Sequence, residues 1–169
     1  MLSRRAFLGV SRPNQGSPVR PPWALAEAHF LSLCTRCNAC VDACPTGLLK
    51  LGEGGYPESD FTPGQAPAGC TFCGDCRAVC TVGALAASNT WVLKASFSSD
   101  CLAARQVVCR TCAECCEFSA IHFPPRLGGV AQPSLDAEAC TGCGACLADC
   151  PTRAIRVLSV KPTTYRGAA

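Results

Sequence analysis

Apolar and polar positions alternate most cleanly over residues 91–97. Trp91, Leu93, Ala95 and Phe97 fall on one face, and Val92, Lys94 and Ser96 on the other. A period of two marks a half-buried strand, so a short strand is expected there. Elsewhere the apolar signal comes in isolated pairs: Leu48-Leu49, Ala84-Leu85, Ala120-Ile121 and Ala154-Ile155. Residues 42–48 and 147–155 suit one or two helical turns, with Pro45 and Pro151 tolerated near helix starts. Gly and Pro, 15 plus 13 residues, gather in stretches such as 52–67 and 124–129, which read as connections. Long regular elements are not expected.

Composition explains how so little periodicity can still specify a fold. Of 169 residues, 49% are hydrophobic and 17 are Cys, and much of the apolar fraction is Ala and Cys. An aliphatic core would be thin for a chain long enough for one ordinary domain or two small ones. Such cysteine density means a disulfide framework or bound metal.

Compartment separates these readings. Ser3-Arg4-Arg5-Ala6-Phe7-Leu8 has the form of a twin-arginine export signal, and Ala24-Leu25-Ala26 offers small residues for cleavage. The apolar run at residues 6–10 stops at Arg12 and Pro13, short of the roughly seven to fifteen residues a working signal needs. The chain is therefore expected to remain in the cytoplasm, and no stretch is long and apolar enough to span a membrane. Disulfides do not persist there, so the cysteines are expected to be thiolate ligands.

Spacing identifies what they hold. Cys34, Cys37, Cys40 and Cys44 give CxxCxxCxxxC followed by Pro45; Cys140, Cys143, Cys146 and Cys150 repeat it before Pro151. Cys70, Cys73, Cys76 and Cys80 keep the spacing with Thr81 in place of proline. Three close thiolates on one loop present sulfur to three iron corners of a cubane, while backbone N–H groups face its sulfides. Ala39, Gly74, Gly142, Gly144 and Ala145 let that backbone come close. A zinc site needs only paired CxxC units, so a third cysteine on the loop would be surplus. A disulfide framework sits poorly with an odd cysteine count.

Five cysteines remain: Cys101, Cys109, Cys112, Cys115 and Cys116. Each regular motif is followed, four and five residues after its last Cys, by one of the small or apolar pairs. Ala120-Ile121 stands at that distance from Cys116. Cys109, Cys112 and Cys116 thus fill the second to fourth positions of a further repeat whose first position is Gln106. The repeats then start at residues 34, 70, 106 and 140. Gln106 offers no thiolate, and Cys101 is its natural substitute. Cys115 becomes the odd residue, with a swap against Cys116 open. Sixteen ligands match four 4Fe-4S clusters; the bland reading of the irregular repeat is an empty or three-iron site.

The expected class is α+β, with little regular secondary structure: small ferredoxin-like lobes built around 4Fe-4S clusters. Residues 1–28 form a basic arm, 29–98 a first lobe with two motifs, 99–160 a second lobe with one irregular and one regular motif, and 161–169 a tail. The motifs resemble bacterial 4Fe-4S ferredoxins. Ser3-Arg4-Arg5, Arg20-Pro21-Pro22-Trp23, His29-Phe30, Gly54-Gly55-Tyr56-Pro57, the Cys101 group and the closing CTGCGAC run make the chain similar to the NapF family of ferredoxin-type accessory proteins of periplasmic nitrate reductase systems. Thr81 and Glu117 depart from the ferredoxin pattern, which has proline there. The resemblance implies a cytoplasmic iron–sulfur protein whose partner is the precursor of the nitrate reductase catalytic subunit, acting in cluster assembly or electron delivery before export. A general polyferredoxin carrying electrons is the alternative.

The arm holds Arg4, Arg5, Arg12 and Arg20 and, up to residue 26, no acidic residue. It is either a docking element for an acidic partner or a solvated tail. Trp23, beside Pro21-Pro22, suits an anchor on the first lobe. His29 and His122 do not stand at ligand spacing. No nucleophile–base pair or phosphate loop points to an enzyme, and no nucleic-acid partner is expected of a chain with formal charge +3 before clusters add negative charge. How the motifs share fourth ligands, in sequence order or first with fourth, stays open, because in two-cluster ferredoxins the fourth Cys serves the other cluster.

Overall fold

The computed structural model describes residues 18–63, 68–86 and 91–159. Arg4, Arg5, Arg12, the twin-arginine stretch and the C-terminal tail lie outside these. Five short helices and six short strands appear in the order α1 (Glu27–Leu33), α2 (Ala39–Asp42), β1 (Leu49–Leu51), β2 (Pro57–Ser59), α3 (Asp75–Ala78), β3 (Leu93–Phe97), α4 (Thr111–Glu114), β4 (Ile121–His122), β5 (Ser134–Leu135), α5 (Ala145–Ala148) and β6 (Ile155–Ser159). The fold is α+β with little regular structure.

One local plan recurs four times. A single helical turn carries the third cysteine and ends before the fourth, as in α2, α3, α4 and α5. Three residues beyond the fourth cysteine the backbone turns left-handed, at Gly47 (φ 65°), Gly83 (72°), Ser119 (48°) and Arg153 (55°). Each of these donates its N–H back to the cysteine carbonyl, at 3.0–3.2 Å. The next residue is the buried first member of an apolar pair. Its carbonyl accepts an N–H from elsewhere in the chain: Asp60 to Leu48, Leu25 to Ala84, Asp136 to Ala120 and Ser98 to Ala154. The small pairs are thus buried junctions, and a satisfied carbonyl there avoids the penalty of an orphaned backbone group.

Two sequence expectations shift. The helical turns lie ahead of the fourth cysteine, over 39–42 and 145–148, instead of over 42–48 and 147–155. Pro45 and Pro151 therefore follow their helices, where a residue without N–H ends the turn. The 52–67 connection contains β2, which pairs antiparallel with β1, Leu51 opposite Pro57; proline is tolerated at the start of an edge strand.

The alternation at 91–97 yields β3 from Leu93, paired antiparallel with β6 from Leu93↔Ser159 to Phe97↔Ile155. β4 and β5 form a third two-stranded sheet. Two cores result. One gathers Ala24, Phe30, Leu49, Cys76, Ala84 and Leu85, with Trp23 and Tyr56 at its edge. The other gathers Ala95, Cys112, Ala120, Ile121, Cys140, Cys146, Leu147 and Ile155, with Phe61 and Phe97 packed against it.

Candidate iron–sulfur centres

Motif neighbours in sequence share a core. Cys34, Cys40, Cys44, Cys76 and Cys80 belong to the first; Cys112, Cys115, Cys116, Cys140, Cys146 and Cys150 belong to the second. α2 packs on α3 and α4 on α5. All seventeen thiols are free of disulfides.

Two open cavities show how the loops cooperate. One, with about 350 Å³ of empty space, is walled by Cys70, Cys73 and Cys76 of one motif and Cys44 of its neighbour, together with Trp23, Leu48 and Leu49. The other, about 370 Å³, is walled by Cys140, Cys143 and Cys146 with Cys116, Ala95, Ile121 and Val157. Each wall combines three cysteines of one loop with the fourth cysteine of another. Each also includes a residue with a buried polar atom lacking a protein partner, Trp23 Nε1 in the first and Thr141 Oγ1 in the second. A group bearing hydrogen-bond acceptors would satisfy both, and the inorganic sulfides of a cubane are such acceptors. Among the described residues no three His, Cys, Asp or Glu side chains converge on a single-ion site.

The electrostatics of the thiols suit the same group. Burial pushes Cys76 up to about 12, with the neighbouring Cys70, Cys40 and Cys44 adding to it. Burial likewise pushes Cys112 up to about 12, reinforced by Cys101, Cys115 and Cys109, and Cys40 to about 11, reinforced by Cys34, Cys37 and Cys80. Cys146 is driven up by burial and by Cys115 and Cys143. Crowded thiolates repel one another in a poorly solvated space, and cationic iron answers that repulsion, releasing the protons as it binds. At Cys44, burial is outweighed by the Thr46 hydroxyl and the N–H groups of Leu49, Leu48 and Thr46, which hold the thiol below its usual value. Ala154 and Ala120 donate N–H bonds of 3.3 Å to Cys150 and Cys116 Sγ. Donors aimed at ligand sulfur tune cluster potential.

The irregular repeat keeps half of this plan. Cys116 shares the left-handed turn with the regular fourth cysteines and the N–H donated to sulfur with Cys150. Cys115 instead donates to the Cys112 carbonyl at 3.6 Å and is pushed up to about 11 by burial and by Asp149. The first half of the loop differs. The regular motifs turn left-handed two residues after the first cysteine, at Arg36, Phe72 and Gly142, and again after the second, at Asn38, Gly74 and Gly144. Arg110, in the equivalent of the latter place, has φ −134°. Gln106 is itself left-handed, at φ 64°, and its Oε1 accepts the Val130 N–H at 3.2 Å. It acts as a loop fastener, and Cys101 lies close enough to Cys112 to raise it.

A family match decides what these loops are. The description "4Fe-4S dicluster domain" fits residues 33–84 and again residues 107–154. The second match begins after Cys101. The chain is 41% identical over 155 residues to the ferredoxin-type protein NapF of Escherichia coli K12, covering 90% of this chain and 92% of that one. The chain belongs to the NapF family of ferredoxin-type 4Fe-4S proteins. NapF of Haemophilus influenzae is 39% identical, over 85% of this chain and 80% of its own length. The methylamine utilization ferredoxin-type protein MauM of Methylobacillus flagellatus is 36% identical, over 88% and 71%.

Family membership leaves the surroundings of the loops to the structure. Arg20, counted above with the basic arm, is committed to the fold. It bonds Glu27 at 2.8 Å, donates to the Pro57 carbonyl at 3.2 Å and lies 5.1 and 5.5 Å from the centres of the Phe30 and Tyr56 rings. Pro21 and Pro22 are fully buried, so Trp23 is held against the Cys44–Cys76 cavity. His29 on α1 and His122 on β4 are exposed. Thr141 was missed by sequence reasoning, since an unpaired hydroxyl becomes a signal only once its burial is known. Among the described residues no helix is long and apolar enough to cross a membrane.

Proposed function

We propose that the protein carries four 4Fe-4S clusters and acts in the cytoplasm on the precursor of a periplasmic nitrate reductase catalytic subunit, in its maturation before export. Ligands are assigned as Cys34, Cys37, Cys40 with Cys80; Cys70, Cys73, Cys76 with Cys44; Cys101, Cys109, Cys112 with Cys150; and Cys140, Cys143, Cys146 with Cys116. The pairs of clusters define two lobes, residues 29–98 and 99–160, with β3 laid against the second. When bound, the clusters supply one-electron chemistry; the chain's own residues hold thiolates in place, donate N–H groups to sulfur and limit water. The reading rests on the likeness to NapF along nine-tenths of the chain. The exposed Cys37 and Cys73 favour it further, because a cluster bound there stands open to a partner.

Capture with tagged protein from cytoplasmic and periplasmic fractions tests it. Maturation requires capture of the precursor in preference to the exported enzyme, and a strain lacking the protein should export enzyme short of its iron–sulfur centre. Normal iron in that exported enzyme would move the assignment to a plain electron carrier. That second reading is favoured by one observation, the direct bond between the Cys70 and Cys143 backbones at 2.8 Å.

A further inference from the structure

Cys70 walls the cavity of the second motif and Cys143 that of the fourth. The Cys70 N–H donates to the Cys143 carbonyl at 2.8 Å. The contact is fitted closely on both sides. Gly69 is buried with φ +89°, and a side-chain carbon there would fall 2.5 Å from Ala145 N and 2.9 Å from Cys143 O. Gly144 meets the Phe61 ring in the same way, at 2.4 Å. Phe61 and Phe72 both pack edge-on against Trp91, 5.6 and 5.7 Å between ring centres. Only glycine allows the loops this close, and the three aromatic rings pack beside the seam.

We propose that this seam is the electron junction between the two lobes, with Gly69 and Gly144 as its positioning residues. It rests on the presence of clusters in both cavities. One ligand of each is then linked by a few covalent bonds and one hydrogen bond. The step is the transfer of a single electron: a reduced cluster on one side is oxidised, its neighbour is reduced, and no bond or proton changes hands. The motifs line up as first, second, fourth and third. The outer members hold the exposed Cys37 at one end and the Cys101 group at the other, so an electron entering at either end crosses the seam to leave by the other.

Electron paramagnetic resonance on anaerobic, dithionite-reduced full-length protein tests the junction. In the unaltered chain the reduced clusters should show magnetic coupling across the whole row. Gly69→Ala and Gly69→Val should lose the part that joins the lobes, giving the summed spectra of two separate two-cluster units at unchanged iron and sulfide content. Gly128→Ala is the control, since its φ is +71° but a side-chain carbon there meets nothing within 4 Å; it should keep the full coupling. After rapid freezing with substoichiometric dithionite, the seam variants should also hold an uneven distribution of reduction that the unaltered chain has already levelled. Undiminished coupling in both variants at full iron content overturns the junction. Loss of iron in both counts against it too, reducing Gly69 to a structural weld. Absence of iron from the unaltered protein would refute the cluster assignment itself, a separate failure.

Discussion

The first and second pairs of motifs share the spacing of their last three cysteines but not a core. In the first pair the wall is built by a segment that precedes the motifs: Pro21, Pro22, Trp23 and Ala24 lie down beside α1, and Phe30 is fully buried. Its sheet, β1–β2, closes over a few residues. In the second pair the wall is the β3–β6 ladder, whose strands stand far apart in sequence. Exposure follows. Cys37 and Cys73 of the first pair are exposed, whereas Cys112, Cys140 and Cys146 of the second are buried. Ligand loops built on one plan thus place their cysteines at different depths, because depth is set by what packs behind the loop. Solvent exposure is one of the levers on cluster potential, so the pairs should differ in lability and in potential.

The largest expected effect is removal of iron. Where clusters supply the core, metal binding is folding free energy, so a chelator under anaerobic conditions should unfold both pairs, the exposed one first. Alkylation followed by mass spectrometry should find Cys34 to Cys80 modified ahead of Cys109 to Cys150. Simultaneous modification would erase the distinction between the pairs.

Next come the cysteines of the irregular repeat. Cys101→Ser should remove one cluster, about four iron atoms per chain, while Cys115→Ser should leave iron content unchanged. The backbone supports this order, because Cys116 and not Cys115 has the left-handed turn of the regular fourth cysteines and, like Cys150, an N–H donated to its sulfur. The opposite pattern in an iron assay would reverse the assignment.

Side-chain truncations sharpen the comparison at lower amplitude. Phe30→Ala removes a fully buried ring and should cost about 3–5 kcal/mol, weakening the first pair and sparing the second. Ile155→Val, on the second core, should cost about 0.5–1.5 kcal/mol with the opposite selectivity. Iron-release kinetics of each variant read out which pair has loosened.

These contrasts also mark what the sequence could and could not convey. The ligand loops were legible because cluster geometry dictates residue spacing, and β3 because a half-buried strand must alternate. The place of Cys116 was legible from Ala120-Ile121, since a buried junction leaves a small or apolar pair at a fixed offset. α1 was missed: it has no side-chain cap and only Phe30 is buried, so no periodic stripe announces it. β2 was hidden in a Gly- and Pro-rich stretch because a three-residue edge strand needs little propensity. The seam between Gly69 and Ala145 is tertiary, and a single glycine in a ligand loop does not reveal what approaches it. Which fourth cysteine faces which loop depends on packing between motifs and leaves no trace in spacing.

The central claim is that the four repeats, the irregular one included, each complete a cluster. Iron and acid-labile sulfide analysis of anaerobically purified protein measures it. The account predicts about sixteen of each per chain, four per cubane; about twelve would leave the Cys101 repeat empty, and zinc or an absence of sulfide would contradict the account outright.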